Sequence, residues 1–463
     1  MNVSDKVKEQ YKGNSIHKNL MLEFDELGLT IGNASVHEES MYLKESILDT
    51  DSIEFVGCLA SVFRISVEGI AENIKGRRLK VSIHTDDTED EPIPLFTGIV
   101  DSAAMQANHK TKEIVAYDEL YTKGNKDVAA WYNSLAFPIS LKDLRDSLFE
   151  YIGITQVETS LPNDEVSISK QYEPKTLKSL SVIKAICQIN GAFGIINRSN
   201  LFEYRILGSV SGKSGAFPGV TLIPPFYPGV TTGGSGAASM NNEAFSFYKK
   251  VDYQEYEVKP VDKITIRQSE NVAGVTYGSG TNNYIIQGNM FTYGLAEDVL
   301  SEIAAKVYES IHGVVYHPFS SDNNGLPFVE CGVDTVRYYV TDFNAVTRSG
   351  YEAKDFYVFS RELRGIQTLR DSYGANGEEY QTEFITDLQT QIDVIKQDVK
   401  QEVDKAISEY DFSSQFGEYT YDKKYLDEKF DDMTGWNHVL VDAVPEIVQP
   451  MTIYYVKGEV VVN

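Results

Sequence analysis

The sequence predicts an α+β chain, mainly β, built as two related β-barrel domains with inserted α+β units and followed by a short C-terminal coiled coil. Three observations predict this class. Strand-like alternation of Val, Ile, Phe and Tyr fills residues 20–118 and returns after residue 245. Apolar stripes of helical period, each with start or stop signals, interrupt it at 140–153, 176–191 and 295–313. Apolar residues at alternating three-four spacing then occupy 384–407. With 463 residues, 42% hydrophobic and 11% aromatic, the chain is long enough for roughly two to four domains with substantial cores.

In chain order, residues 1–118 make the first barrel, with strands at 53–68, 78–84, 93–104 and 112–118. Asn108-His109-Lys110-Thr111 turns the last two into a hairpin. The acidic run Asp86-Asp87-Thr88-Glu89-Asp90-Glu91 contains no glycine for the sharp turn of a calcium loop, so it reads as a solvated loop. Residues 119–207 form an inserted α+β domain. Ser140 followed by Asp143 caps a helix carrying Leu141, Leu144, Leu148 and Ile152 on one face, and Gly153 stops it. A second helix starts at the cap Thr176 and runs through Leu177, Leu180, Ile183, Ile186 and Cys187 to Gly191. A hairpin follows, 193–196 and 201–207, around Asn197-Arg198-Ser199-Asn200.

Residues 208–244 are a connection rich in Gly, Ser and Pro. Within it Gly208-Ser209-Val210-Ser211-Gly212-Lys213-Ser214 has three residues between its glycines where a phosphate loop has four. Phe217-Pro218 then stands where the helix would begin, so nucleotide binding is not assigned. Residues 245–377 form the second barrel with a helical insertion. Its strands lie at 245–267, 334–341 and 355–363. Its helix, 295–311, buries Val299, Leu300, Ile303, Ala304, Val307 and Tyr308 ahead of Gly313.

Residues 378–410 hold the coiled coil, with Ile385, Leu388, Ile392, Ile395 and Val399 as its seam; past Val399 the spacing relaxes to fours at Val403 and Ile407. Isoleucine at both kinds of seam position, Ile392 and Ile395, favours three strands over two, and these residues are assigned to oligomerisation. A single amphipathic helix docked on its own domain is the competing reading of the same stripe. Residues 411–463 are an acidic segment and a short β cap. From 378 to 432 there are 16 acids against 6 bases, and Tyr454-Tyr455-Val456 leads into Glu459-Val460-Val461-Val462.

Charge and composition exclude several function classes. Lys plus Arg is 42 against 68 for Asp plus Glu, a formal charge of −26, and such a surface repels DNA and anionic membrane. Cys58, Cys187 and Cys331 show no C-x-x-C spacing and read as reduced core residues of a protein made in a cytoplasm. The first 22 residues lack the apolar core of a secretory signal, and no run approaches the ~18 apolar residues of a membrane span. His37-Glu38-Glu39 lacks the second histidine of a zinc-protease helix, and His312 and His317 straddle Gly313. No catalytic, metal-binding or cofactor-binding residue is assigned. Carboxylate pairs suited to glycoside cleavage stay open, because spacing in space is invisible to the sequence.

Four motifs carry a resemblance. They are Leu95-Phe96-Thr97-Gly98-Ile99-Val100 with Ile114-Val115-Ala116-Tyr117-Asp118; Tyr256-Glu257-Val258-Lys259-Pro260-Val261-Asp262-Lys263-Ile264; Ile286-Gln287-Gly288-Asn289-Met290; and Arg361-Glu362-Leu363-Arg364-Gly365-Ile366-Gln367 with Gly374-Ala375-Asn376-Gly377-Glu378. In order and spacing they resemble the structural region of the siphophage tail-associated lysin (Tal) family. They are also similar to the baseplate hubs of contractile phages and phage-tail-like bacteriocins. The likeness covers roughly residues 20–380 and not the end of the chain.

The resemblance implies a homotrimer in which each subunit gives two similar barrels, so that three chains make a ring of approximate sixfold symmetry. It implies a distal tail protein or tail tube ring on one face, a fibre or spike at the C-terminal side, and a passage for the tape measure protein and for DNA. It further implies a place at the virion tail tip after assembly in a host bacterial cytoplasm, with no membrane anchor and no specific nucleic-acid binding. Many Tal proteins carry a peptidoglycan hydrolase at the C-terminus, and the roughly fifty residues after 410 are too few for one. Two function classes therefore stand, a structural hub and, as the alternative, a wall-degrading tail enzyme.

Overall fold

The computed structural model describes residues 1, 3–12, 16–48, 55–170, 173–207, 220–223, 244–246, 248–269, 272–341, 351–379, 383–387, 437–441, 452–456 and 459–462. Two compact units divide the chain, Met1–Asp398 and Val399–Asn463. The described residues are mainly β, with several antiparallel sheets and few helices.

The first unit opens with α1 (Asp5–Lys12) and seven strands: β1 (Lys18–Phe24), β2 (Leu29–Ile31), β3 (Tyr42–Ser46), β4 (Val62–Glu68), β5 (Arg78–Thr85), β6 (Ile93–Met105) and β7 (Thr111–Tyr117). Period-two alternation decides which face turns inward. In β4, Phe63, Ile65 and Val67 are buried while Arg64 and Glu68 are exposed. The β6–β7 turn is held by Asn108, whose Oδ1 accepts from the backbone N–H of Lys110 and of Thr111, each at 3.0 Å, while His109 takes φ 54°.

The α+β insertion follows: α2 (Glu119–Lys123), α3 (Ala129–Ser134), β8 (Ile139–Ser140), α4 (Leu141–Ile152), β9 (Ser167–Ile168), α5 (Ser179–Gln188), β10 (Phe193–Ile196) and β11 (Phe202–Arg205). At α4 the cap is as the sequence predicts. Ser140 Oγ accepts from the Asp143 N–H at 3.0 Å, and Gly153 ends the helix at φ 74°. Helix α5 begins three residues after the expected cap Thr176, because the chain there is engaged in tertiary bonds. Val128 N–H donates to the Leu177 carbonyl, Ser179 N–H donates to that of Lys126, and Lys178 bridges Asp127. The expected hairpin forms between β10 and β11, Phe193 opposite Arg205.

The rest of this unit comprises β12 (Val220–Ile223), β13 (Ala244–Ser246), β14 (Tyr248–Tyr253), β15 (Lys263–Arg267), β16 (Val275–Gly278), β17 (Asn283–Gln287), α6 (Glu297–Ile311), β18 (Phe319–Asn324), β19 (Thr335–Thr341), β20 (Tyr351–Tyr357), β21 (Ser360–Arg364), β22 (Arg370–Ala375) and β23 (Glu383–Asp387). Eleven strands, from both ends of the unit's sequence, join one sheet in the order β14-β18-β22-β21-β3-β4-β7-β6-β5-β1-β2. The join is the antiparallel pair β3–β21, running from Ser46 opposite Ser360 to Tyr42 opposite Arg364. Two barrels were expected, yet among the described residues no sheet closes on itself. One edge of each half, β3 and β21, is satisfied by the other, which leaves β2 and β14 as the two ends of a single open sheet. Smaller sheets are β13-β12-β19-β20 and β16-β15-β17-β23, and α6 packs on β15 and β16.

The stretch expected as a coiled coil begins differently. Phe384 and Ile385 lie in β23, which runs parallel to β17 with Ile385 opposite Ile285. Leu388, Ile392, Ile395, Val399, Val403 and Ile407 fall outside the described residues, as does the segment 208–214. In the second unit, β24 (Asn437–Val441), β25 (Thr452–Val456) and β26 (Glu459–Val462) form a three-stranded sheet, β24 parallel to β25 and β25 antiparallel to β26.

Candidate functional site

At the seam between β3 and β21 the alternating pattern turns charged side chains inward. Glu45 shares the buried face of β3 with Leu43, and Arg361 shares that of β21 with Leu363. Burial of an ion is tolerated only when it is paired and fully hydrogen-bonded. Arg361 meets that condition. Its Nε donates to Asp371 Oδ1 at 2.8 Å and its Nη2 to Asp371 Oδ2 at 2.7 Å. Nη2 also donates to the Leu326 carbonyl at 2.8 Å, and Nη1 to the Val329 carbonyl at 2.5 Å and to Glu45 Oε2 at 3.4 Å. Burial works to lower the guanidinium pKa, but the Asp371 carboxylate outweighs it and carries the pKa above its usual value, so the charge is permanent.

The same loop binds a second arginine from the insertion. Arg198 Nη2 donates to the Val329 carbonyl at 2.5 Å and to Glu45 Oε2 at 3.5 Å, and Nη1 donates to the Pro327 carbonyl. Arg205 reaches the Cys331 carbonyl, and the N-terminal ammonium sits 3.0 Å from Glu330 and 3.5 Å from Asp334. Residues from the N-terminus, β3, the β10–β11 hairpin, β21 and β22 thus converge on 326–334. Sequence reasoning missed this cluster. Its signal was present as charge at inward strand positions, Glu45 and Arg361.

Each motif that carries the resemblance has a structural task. Gly98 stands where β6 passes β7, and a Cβ there would collide with the Tyr117 carbonyl oxygen and the Phe96 ring and lie 2.7 Å from the Tyr117 carbonyl carbon. Asp118 caps α2, accepting from Ser61 N–H at 2.6 Å and Leu120 N–H at 2.9 Å. Burial pushes its pKa up to about 7, against the pull of those two donors. Tyr256 donates to the Gly377 carbonyl at 3.1 Å. A Cβ on Gly377 would lie 2.5 Å from the Tyr316 hydroxyl and 2.6 Å from Val258. Asn289, just past β17, donates to the Ala185 carbonyl at 3.0 Å and to Gln188 at 2.6 Å, docking the second half on α5. Gln367 ties back to β1, accepting from Lys18 N–H at 3.0 Å and donating to the Lys18 carbonyl at 2.6 Å.

The same sheet also presents open backbone. Strand β6 pairs with β5 only as far as Ile99 opposite Arg78, while its pairing with β7 continues to Met105 opposite Lys112. From Asp101 to Met105 one edge of β6 therefore has no strand partner among the described residues, and Met105 at its end is 48% exposed. Such an edge is a ready template for another strand.

Cys58, Cys187 and Cys331 are all buried thiols outside any disulfide, and burial pushes the Cys331 thiol well up, away from a reactive thiolate. His312 Nδ1 lies 2.8 Å from the Tyr308 carbonyl, and His317 Nδ1 lies 3.1 Å from that of Tyr256. In the acidic loop Thr88, not a carboxylate, is the buried anchor, its Oγ1 accepting from Thr85 N–H at 3.0 Å. No group of three or more His, Cys, Asp or Glu suited to a metal ion occurs among the described residues.

No family model matches the chain, and no curated protein matches it. Solved structures do. The chain is similar to a tail protein from Neisseria meningitidis MC58, at 9% identity over 79% of this chain and 98% of that one, with a TM-score of 0.46. It is similar to the 43 kDa tail protein of prophage MuSo2 from Shewanella oneidensis, at 10% identity over 78% and 98%, with a TM-score of 0.46. Prophage tail protein gp18 from Listeria monocytogenes EGD-e is also similar, at 10% identity over 82% and 99%, with a TM-score of 0.43.

Proposed function

We propose that the chain is a structural tail-tip or baseplate hub of a tailed phage, prophage or phage-tail-like particle. Three copies form a ring that joins the sixfold tail tube or distal tail ring to a central fibre or spike, and the ring encloses the passage for the tape measure protein and DNA. The observation that carries this reading is how the motif residues are used. Arg361, Gln367 and Asn289 tie distant parts of the chain to one another, and Gly98 and Gly377 let packed segments approach closely, as a component built for rigidity requires. The open edge of β6 offers a surface for assembly, and the net charge of −26 suits a passage through which DNA slides without adhering. Trimerisation is assigned to the seam Leu388, Ile392, Ile395, Val399, Val403 and Ile407, which follows Ile385 in the chain. Purified full-length chain incubated with peptidoglycan is expected to release no soluble fragments. Fragment release by the chain, absent from a mock preparation, would return the hydrolase reading in its place.

A further inference from the structure

A cavity of about 310 Å³ lies where α1, β1, β14 and the two ends of the β18 and β22 strands meet. Three of its lining residues are bases, Lys18, Lys249 and Arg370, and none is an acid. In a chain with 68 acidic and 42 basic residues, that is the opposite of the average surface. Each base comes from a different strand. Lys249 is the extra residue of a bulge in β14, between Tyr248 opposite Asn323 and Lys250 opposite Asp322. A bulge re-aims the side chain it carries, and Lys249 lines the cavity. Arg370 opens β22 opposite Asn324, itself on the cavity wall. Lys18 is held at the base, its Nζ donating to the Gln367 carbonyl at 2.9 Å.

The neighbouring acids are already engaged. Glu38 accepts from the N–H groups of Gln367 and Thr368 at 2.8 and 3.3 Å, and Glu39 accepts from the Thr368 hydroxyl at 3.1 Å. Lys249 and Arg370 are exposed and have no ion-pair partner among the described residues. Apolar wall is supplied by Ile16, Leu326 and Leu369. Strand β14, which carries Lys249, is also the last of the eleven-stranded sheet.

We propose that this cavity receives a carboxylate side chain of an acidic peptide from a partner protein, with Lys249 and Arg370 as its ion-pair partners. A peptide is favoured over a free anion by the size of the cavity, which exceeds a single oxyanion, and by its apolar wall. The proposal does not rest on the hub reading and stands or fails separately from it.

The test is fluorescence anisotropy of full-length chain with a labelled tetraglutamate peptide at low salt, with a tetraglutamine peptide as the comparison. The overall charge repels tetraglutamate, so saturable binding reports a local basic site. Wild-type chain is expected to bind tetraglutamate and not tetraglutamine. The double variant Lys249→Glu with Arg370→Glu, at exposed positions and used only with a circular dichroism spectrum matching the parent, is expected to lose at least about tenfold in affinity. Absence of saturable binding, or equal binding by the double variant, overturns the proposal. Displacement by inorganic phosphate at the same concentration as by unlabelled peptide also overturns it, since the site would then be one for a free anion.

Discussion

Arg361→Ala is expected to lower the unfolding free energy of the first unit by about 3–5 kcal/mol, the range for removing one partner of a buried ion pair. The magnitude follows from what is left behind. Asp371 is fully buried, Glu45 nearly so, and the Leu326 and Val329 carbonyls lose a donor. Each of these groups was taken out of water on the condition that Arg361 met it. Chemical denaturation monitored by tryptophan fluorescence reads the effect as a lower midpoint. The double variant Arg361→Leu with Asp371→Leu is expected to recover only the part of the loss due to the unpaired Asp371, since Glu45 and the two carbonyls still lack the Arg361 donors. A drop below about 1 kcal/mol for Arg361→Ala would mean that water reaches the cluster.

Gly98→Val is expected to cost about 3 kcal/mol, the upper end for overpacking, because the obstruction is main chain and not a movable side chain. The Tyr117 carbonyl belongs to β7, which is fixed on its other side by β4, Val62 opposite Tyr117. Relief therefore requires β6 to move, and β6 is also paired to β5 through Gly98 opposite Leu79. Gly32→Ala is the control. A Cβ there meets nothing within 4 Å and φ is negative, so a change within about 0.5 kcal/mol is expected. Thermal denaturation of the two variants beside the parent separates a packing effect from a general intolerance of substitution.

Local features were legible in the sequence where a local cause decides them. The hairpin at Asn108 and the helix capped by Ser140 are set by side chains bonding to backbone two or three residues away, and α6 is set by a stripe of helical period. The β3–β21 pair was not legible. Glu45 and Arg361 are 316 positions apart, and nothing in either strand names the other as partner, so two separately closed halves were the natural expectation. The onset of α5 was displaced because bonds from residues 126–128 compete for its first turn. At 384–387 the apolar spacing was read as a helical seam, yet Phe384-Ile385-Thr386 is also a short run of aromatic and β-branched residues. Pairing with β17 decided for strand.

That strand also decides where the chain should be cut to test assembly. Ending it at Tyr380 removes β23 from its sheet, whereas ending it at Gln389 leaves β23 intact and deletes the seam from Ile392 onward. The most direct test of the hub reading is the solution mass of the full-length chain by light scattering, measured beside the form ending at Gln389. A mass near three times 51.9 kDa for the full chain, falling to monomer on truncation, is the expected result. A full-length chain that stays at 51.9 kDa across the accessible concentration range would contradict it.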